Sequence, residues 1–266
     1  GNIIDLKKFA DIAHKHGIPL IVDNTVATPY LCRPIDFGAD IVIHSLTKYI
    51  DGHGATIGGI IVDSGKFDWT KDPQKFPMLN EPDPSYHGVI YTEQFGPAAF
   101  IGCCRVVPLR ETGACLSPNN AYIIMLGLES LGVRMERHCE NSKRVAEHLS
   151  DHSAVEWVRF PGLESDPEFE KNQKYLKGKG GAIVVFGIKG GAEAGQKFIE
   201  DKKLVRATCL EAKQKKIDET PKLSLWVNAI KYTGKISEIL KPMRNMDTII
   251  LQFMTGRICE VKWKHI

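Results

Sequence analysis

Apolar residues recur along this chain in two alternating rhythms, a helical spacing followed by a short continuous run, and that order points to α/β units. Residues 5–16 place Leu6, Phe9, Ala10 and Ala13 on the stripe of an amphipathic helix that Gly17 stops. Residues 18–22 form a nearly unbroken apolar run rich in β-branched side chains, the pattern of a strand buried on both faces, and Asp23 closes it. Residues 39–45 repeat the arrangement, so that Ser45, Thr47 and Lys48 fall at or just beyond the carboxyl end of a second strand. Residues 57–62 predict another strand, and residues 68–88, rich in Pro, Asp and Lys, predict a surface excursion.

Further along, residues 117–149 predict one long helix or two in sequence, capped by Asn119. Met125, Leu128, Leu131, Val133 and Met135 supply its apolar stripe, and Arg134, Arg137 and His138 a solvated or interface face. Residues 156–160 and 181–187 read as strands, so a smaller α+β domain is expected from about residue 116. With 43% hydrophobic and 25% charged residues in 266, the composition is that of an ordinary globular chain. No apolar run approaches the roughly 18 residues that span a bilayer, and no basic-then-apolar leader opens the chain, so a cytoplasmic location without membrane contact is expected. The scattered cysteines contain no Cys-x-x-Cys pair, which argues against a disulfide framework or zinc site; Cys103 and Cys104 read as buried thiols. His14 and His16 stand two apart, on different sides of a helix, and no metal is expected.

The chemistry lies at the two strand ends. In open α/β sheets ligands collect outside the carboxyl ends of the strands, so Asp23, Ser45, Thr47 and Lys48 are candidates for a single crevice. A lysine amine condenses with an aldehyde once partial desolvation lowers its pKa. A carboxylate facing a pyridine nitrogen keeps it protonated, and two hydroxyls alternating along an extended segment can bind a phosphate without adding charge. Ser-x-Thr-Lys alone is commonplace, as is an Asp after a strand. Their pairing assigns Lys48 as the catalytic and cofactor-attaching residue, Asp23 to the pyridine nitrogen, and Ser45 and Thr47 to the phosphate of pyridoxal 5′-phosphate.

Val22-Asp-Asn-Thr-Val-Ala-Thr-Pro-Tyr-Leu-Cys-Arg-Pro34, Gly38-Ala-Asp-Ile-Val-Ile-His-Ser-Leu-Thr-Lys-Tyr49 and Gly52-His-Gly54 resemble the Cys/Met-metabolism (trans-sulfuration) family of fold-type I pyridoxal-phosphate enzymes. Gly58-Gly-Ile-Ile-Val-Asp-Ser-Gly-Lys-Phe-Asp-Trp69 and Glu81-Pro-Asp-Pro-Ser-Tyr-His-Gly88 are most similar to its O-acetylhomoserine sulfhydrylase branch, and the resemblance runs to about residue 204. It implies γ-replacement on O-acetylhomoserine by sulfide or a thiol, giving homocysteine or methionine, with a γ-lyase, a cystathionine γ-synthase or a truncated non-catalytic chain as alternatives. It also implies a homotetramer built as a dimer of dimers. The implied fold is the second half of a mostly parallel, helix-flanked cofactor-binding large domain over residues 1–115, then a smaller α+β domain over 116–204, incomplete at both ends.

Residues 205–266 stop resembling the family. They hold 12 Lys and Arg against 6 Asp and Glu, leaving 23 against 26 in the first 204, so the chain's net +3 arises in this tail. Its charges are dispersed, without the clustered basic face that nucleic-acid binding needs, and no nucleic-acid partner is expected. None of its arginines, Arg206, Arg244 or Arg257, is assigned to a substrate carboxylate.

Overall fold

A computed structural model of the chain describes residues 1–200 and three short strands beyond them. It divides into a unit of Ile4–Leu131 and another of Gly132–Ile266 with Gly1–Ile3.

The first unit opens with α1 (Leu6–Lys15), whose first turn is capped by the Asp5 carboxylate accepting from the Lys8 amide. Leu6, Ala10 and Ala13 are buried, but Phe9, which the periodicity places on the same stripe, is exposed. β1 (Ile21–Asp23) starts later than the apolar run at Ile18, for a physical reason. Pro19 has no N–H, and the Leu20 amide donates to the Asp40 carboxylate at 2.8 Å. After the short helix α2 (Thr28–Leu31), β2 (Ile41–Ser45) pairs parallel to β1, with Val22 opposite Val42 and Asp23 opposite Ile43. β3 (Gly59–Asp63) closes the sheet antiparallel to β2, giving the order β1-β2-β3. The expected two-sided burial holds for central β2, where Ile41 and Val42 are buried; Ile18 and Ile21 near β1 and Ile60, Ile61 and Val62 on β3 are exposed.

Residues 68–88 are more than a surface excursion. Trp69 and Leu79 are buried in a cluster with Ile41, Tyr91, Ala99 and Cys103, packed by Phe67, Phe76 and Phe100. Trp69 stacks on Phe100 with centroids 5.5 Å apart and meets Phe76 edge-on at 5.1 Å. α3 (Pro77–Asn80), α4 (Tyr91–Phe95), α5 (Ala99–Val106) and α6 (Pro108–Thr112) frame this cluster. The Pro, Asp and Lys that dominate the composition form turns between aromatic anchors spaced too irregularly to show a period. Cys103 is buried as expected, whereas Cys104 is only half-buried.

Two helices, α7 (Pro118–Glu129) and α8 (Leu131–Asp151), occupy residues 117–151, broken at Ser130. The cap is Ser117, whose hydroxyl accepts from the Asn120 amide at 3.2 Å; Pro118 at the first helical position makes Asn119 too late to cap. Met125, Leu128 and Val133 of the expected stripe are exposed, while Leu131 and Met135 are buried. His138, expected on a solvated or interface face, is also buried. α7 belongs to the first unit because Gly127 and Ile124 lie against the segment that follows β2. A Cβ on Gly127 would stand 2.0 Å from the Asp51 carbonyl oxygen, and one on Gly58 would stand 2.8 Å from Ile124 Cδ1.

In the second unit β4 (Val155–Arg159) pairs antiparallel with β5 (Ile183–Ile188), flanked in sequence by α9 (Phe169–Tyr175) and α10 (Gly191–Glu200). Three further antiparallel strands, β6 (Leu225–Asn228), β7 (Ile249–Gln252) and β8 (Ile258–Val261), continue the sheet in sequence order. The rest of the basic tail, with Arg206, Arg244 and Arg257, lies outside the described residues. Asn172, fully buried, accepts from the Gly180 amide at 2.7 Å and so fixes the turn that leads into β5. Among the described residues no helix is long and apolar enough to cross a membrane, and no cluster of His, Cys, Asp or Glu could hold a metal.

Gly127→Ala should destabilise the chain by about 2–3 kcal/mol, the cost of overpacking a site that has backbone rather than a flexible side chain opposite. Urea unfolding measures it; an unchanged midpoint would show that α7 does not press on Asp51.

Candidate functional site

Parallel pairing ends β1 and β2 at the same edge of the sheet, which puts Asp23 and Ser45 at neighbouring strand tips. Beyond Asp23 the chain turns sharply. The buried Asn24 side chain donates to the carbonyls of Thr28 and Cys32 at 3.1 and 2.9 Å. These bonds hold Thr28 at φ +60°, a strained position for a β-branched residue.

Asp23 Oδ1 accepts from the Thr25 amide at 3.0 Å and from the Thr25 hydroxyl at 2.6 Å. Thr25 Oγ1 in turn accepts from the Ser45 amide at 2.8 Å. Among the described residues Asp23 Oδ2 and Ser45 Oγ make no hydrogen bond, so one carboxylate oxygen and one hydroxyl remain for a ligand.

Lys48 lies in a turn over residues 46–51, immediately after β2. The turn's backbone is tied at Leu46 N to Gly58 O (2.9 Å), Asp51 N to Leu46 O (2.9 Å) and Gly52 N to Lys48 O (2.8 Å). The half-buried Lys48 amine has its pKa lowered by desolvation, the direction a nucleophilic amine needs. Thr47 turns its hydroxyl to Gly58, accepting from the Gly58 amide at 3.1 Å with the Gly58 carbonyl at 3.4 Å. The longer of these contacts is the weaker, so the hydroxyl hydrogen can swing to an anion while Gly58 N–H stays bonded.

Three further contributors carry no signal in the strand-end pattern. Thr25 sits two residues past Asp23, where an Asx turn places a hydroxyl. The buried His44 imidazole has its pKa lowered, chiefly by burial, against the opposing charge of Asp23 and a backbone hydrogen bond at Asn24; it is therefore neutral at neutral pH. Asp51, fully buried, accepts from the Ala55 amide at 3.1 Å and braces the far end of the Lys48 turn.

An amine, a carboxylate with a spare oxygen and two hydroxyls at adjoining strand ends form a donor set that fits pyridoxal phosphate. One nucleophile meets an aldehyde, one anion meets a pyridinium, and uncharged donors meet a phosphate.

Comparison with known proteins agrees with that chemistry. The profile of the Cys/Met metabolism PLP-dependent enzymes matches residues 1–210. Homocysteine synthase of Schizosaccharomyces pombe is 49% identical over 204 residues, 76% of this chain and 48% of that protein. O-acetyl-L-homoserine sulfhydrylase 1 of Thermus thermophilus is 48% identical over 205 residues, 77% of this chain and 48% of that one. Among solved structures, a Campylobacter jejuni putative O-acetylhomoserine (thiol)-lyase carrying a pyridoxyl-lysine monophosphate superposes with TM-score 0.72 at 35% identity, covering 77% of this chain and 50% of its own. The chain thus spans about half the length of the curated relatives it matches. With the family profile matched over residues 1–210, the chain belongs to the Cys/Met metabolism PLP-dependent enzymes.

Proposed function

We propose that this chain supplies the lysine-bearing part of a pyridoxal-phosphate site for γ-replacement on O-acetylhomoserine, in which sulfide or a thiol takes the place of acetate to give homocysteine or methionine. The observation that carries this reading is the desolvated Lys48 amine one turn beyond the strand tip whose Ser45 is linked through Thr25 to Asp23. The names homocysteine synthase and O-acetyl-L-homoserine sulfhydrylase, borne by relatives near 50% identity, support the choice of reaction.

When bound, pyridoxal phosphate supplies an electron sink for charge developing at the substrate α-carbon. Lys48 would hold the cofactor and would move protons at the substrate α- and β-carbons. Asp23 would pair with the pyridine nitrogen through Oδ2, while Oδ1 stays bonded to Thr25. Ser45 and Thr47 hold the phosphate through their hydroxyls. The same reading gives a cytoplasmic homotetramer, and the exposed apolar residues Tyr122, Met125, Leu126 and Leu128 on α7 support association between copies.

Lys48→Ala should abolish borohydride-fixed attachment of pyridoxal phosphate, read by peptide mass, while the chain stays folded. Attachment at full yield in that variant would remove Lys48 from its role. The sign of the pH dependence follows from the lowered pKa. The folded chain holds the Lys48 proton less tightly than the unfolded chain does, so its contribution to stability increases with pH in the window just below the pKa of free lysine. Lys48→Ala should flatten a urea-midpoint profile there, and an unchanged slope contradicts the desolvation.

Asp23→Asn should keep attachment yet cut turnover by about a hundredfold, the scale of losing one preorganised electrostatic contact. Steady-state kinetics decide it, and full activity in the variant removes the assignment. Sulfide-dependent homocysteine from O-acetylhomoserine supports replacement; ammonia and 2-oxobutyrate without any need for sulfide assign elimination instead.

A further inference from the structure

We propose that Thr25 is a positioning residue that locks the pyridine-facing carboxylate and the phosphate-facing strand tip into one unit through its single hydroxyl. The inference rests on the cofactor reading above and extends it to a residue that touches neither reacting atom nor substrate in that reading.

A threonine hydroxyl has one hydrogen to donate and lone pairs to accept with. Here the hydrogen goes to Asp23 Oδ1 at 2.6 Å, within the range of charge-assisted O–H···O⁻ bonds, and a lone pair takes the Ser45 N–H at 2.8 Å. Both partners belong to the candidate site. The register explains why a side chain is needed: Asp23 pairs with Ile43, so continuing β1 by two residues would set Thr25 beside Ser45. β1 ends at Asp23, however, and the last rung between the two segments is Asn24 N to Ile43 O at 2.9 Å. The Thr25 hydroxyl supplies the missing rung and satisfies a half-buried amide that the turn would otherwise strand.

The local motif alone does not single out this position. The same Asx turn, with carboxylate to amide and to hydroxyl two residues on, recurs at Asp68–Thr70 and Asp83–Ser85. Those two are surface turns, and the Ser85 hydroxyl accepts from Arg110 instead. At Thr25 the turn joins two strands.

Fixing Oδ1 also fixes the plane of the carboxylate, so Oδ2 is presented in one direction. A rotating carboxylate would meet a pyridine nitrogen only part of the time. Because the same hydroxyl holds the Ser45 amide, the distance from Oδ2 to the Ser45 backbone is set as well. A rigid cofactor gripped at both its ring nitrogen and its phosphate needs that distance to stay constant. His44, the next residue of β2 after Ile43, has its pKa lowered chiefly by burial, against the opposing charge of Asp23.

The test uses the full chain with pyridoxal 5′-phosphate as the probe. Affinity is titrated by absorbance, and exchange of the Ser45 amide hydrogen is followed without cofactor. Thr25→Val keeps the shape and removes the hydroxyl; Thr25→Ser keeps the hydroxyl and removes the methyl. The expected result is a loss of about tenfold in affinity and in Ser45 amide protection for Thr25→Val, the scale of a hydrogen bond to a charged group. Thr25→Ser should restore both to within about threefold.

Wild-type affinity in Thr25→Val or failure of Thr25→Ser to rescue overturns the proposal. Rapid exchange of the Ser45 amide in the wild-type chain overturns it without any variant, which covers a Thr25→Val chain that fails to fold. A wild-type chain that takes up no pyridoxal phosphate overturns the cofactor reading itself, and the inference with it; uptake by wild type and Thr25→Val alike overturns the inference alone.

Discussion

The site depends on one pairing, the parallel register of β1 with β2. In a parallel ladder both strands end at the same edge, so the residue that closes each apolar run is delivered to the same side of the sheet. Reversing one strand would carry Asp23 to the opposite edge from Ser45. The pairing is short: three residues of β1 face three of β2, and one hydrogen bond from Asn24 to Ile43 ends it. Its precision therefore comes from the turns just beyond the strand ends. The Asn24 amide fastens the outgoing chain at Thr28 and Cys32, and the Thr25 hydroxyl reaches back to Ser45. Holding Thr28 at φ +60° costs on the order of 1–3 kcal/mol, and the buried bonds of Asn24 offset it.

The electrostatics of the site are set by partial burial and by which residues carry charge. Burial lowers the pKa of both Lys48 and His44, so the amine gives up its proton more readily and the imidazole stays neutral beside Asp23. A protonated His44 would compete with a pyridinium for the same carboxylate. Keeping it neutral leaves the Asp23 charge directed outward, to the ligand side of the strand tips. The hydroxyls of Ser45 and Thr47 offer donors without adding charge, and the single hydrogen of the Thr25 hydroxyl is already given to Asp23.

Legibility in the sequence tracks the strength of the local pattern. Asp23, Ser45, Thr47 and Lys48 stand out because each lies at or just past the end of an apolar run, and α1, β2, β4 and β5 because their rhythm or β-branched content is strong. The pattern is silent where tertiary contact decides. Phe9 has the helical spacing of a core residue and is exposed, while Trp69 and Leu79 lie in a Pro- and Asp-rich stretch and are buried. Neither fact has a local cause; the aromatic cluster around Trp69 gathers side chains from well-separated stretches of the chain. The antiparallel sense of β3 is hidden too, since exposed Ile60, Ile61 and Val62 read as a buried run. Thr25 gives no signal because its partner on Ser45 is a backbone amide, and sequence does not show where a strand will run out of rungs.

The turn over residues 46–51 gives Lys48 a fixed backbone base. Its backbone is bound to Gly58 on one side, and at its end the Asp51 carbonyl is approached so closely by Gly127 that no side chain fits between them. Glycine at 127 brings the α7 backbone against the turn, which gives a stiffer support than side-chain packing because main chain has no rotamers to yield. Asp51 is buried, with Oδ1 lacking a hydrogen bond among the described residues and His53 Nδ1 3.6 Å from it. Its other oxygen caps the Ala55 amide and keeps the turn from unwinding into β3. The backbone beneath Lys48 is thereby tied on two sides, to Gly58 and against Gly127.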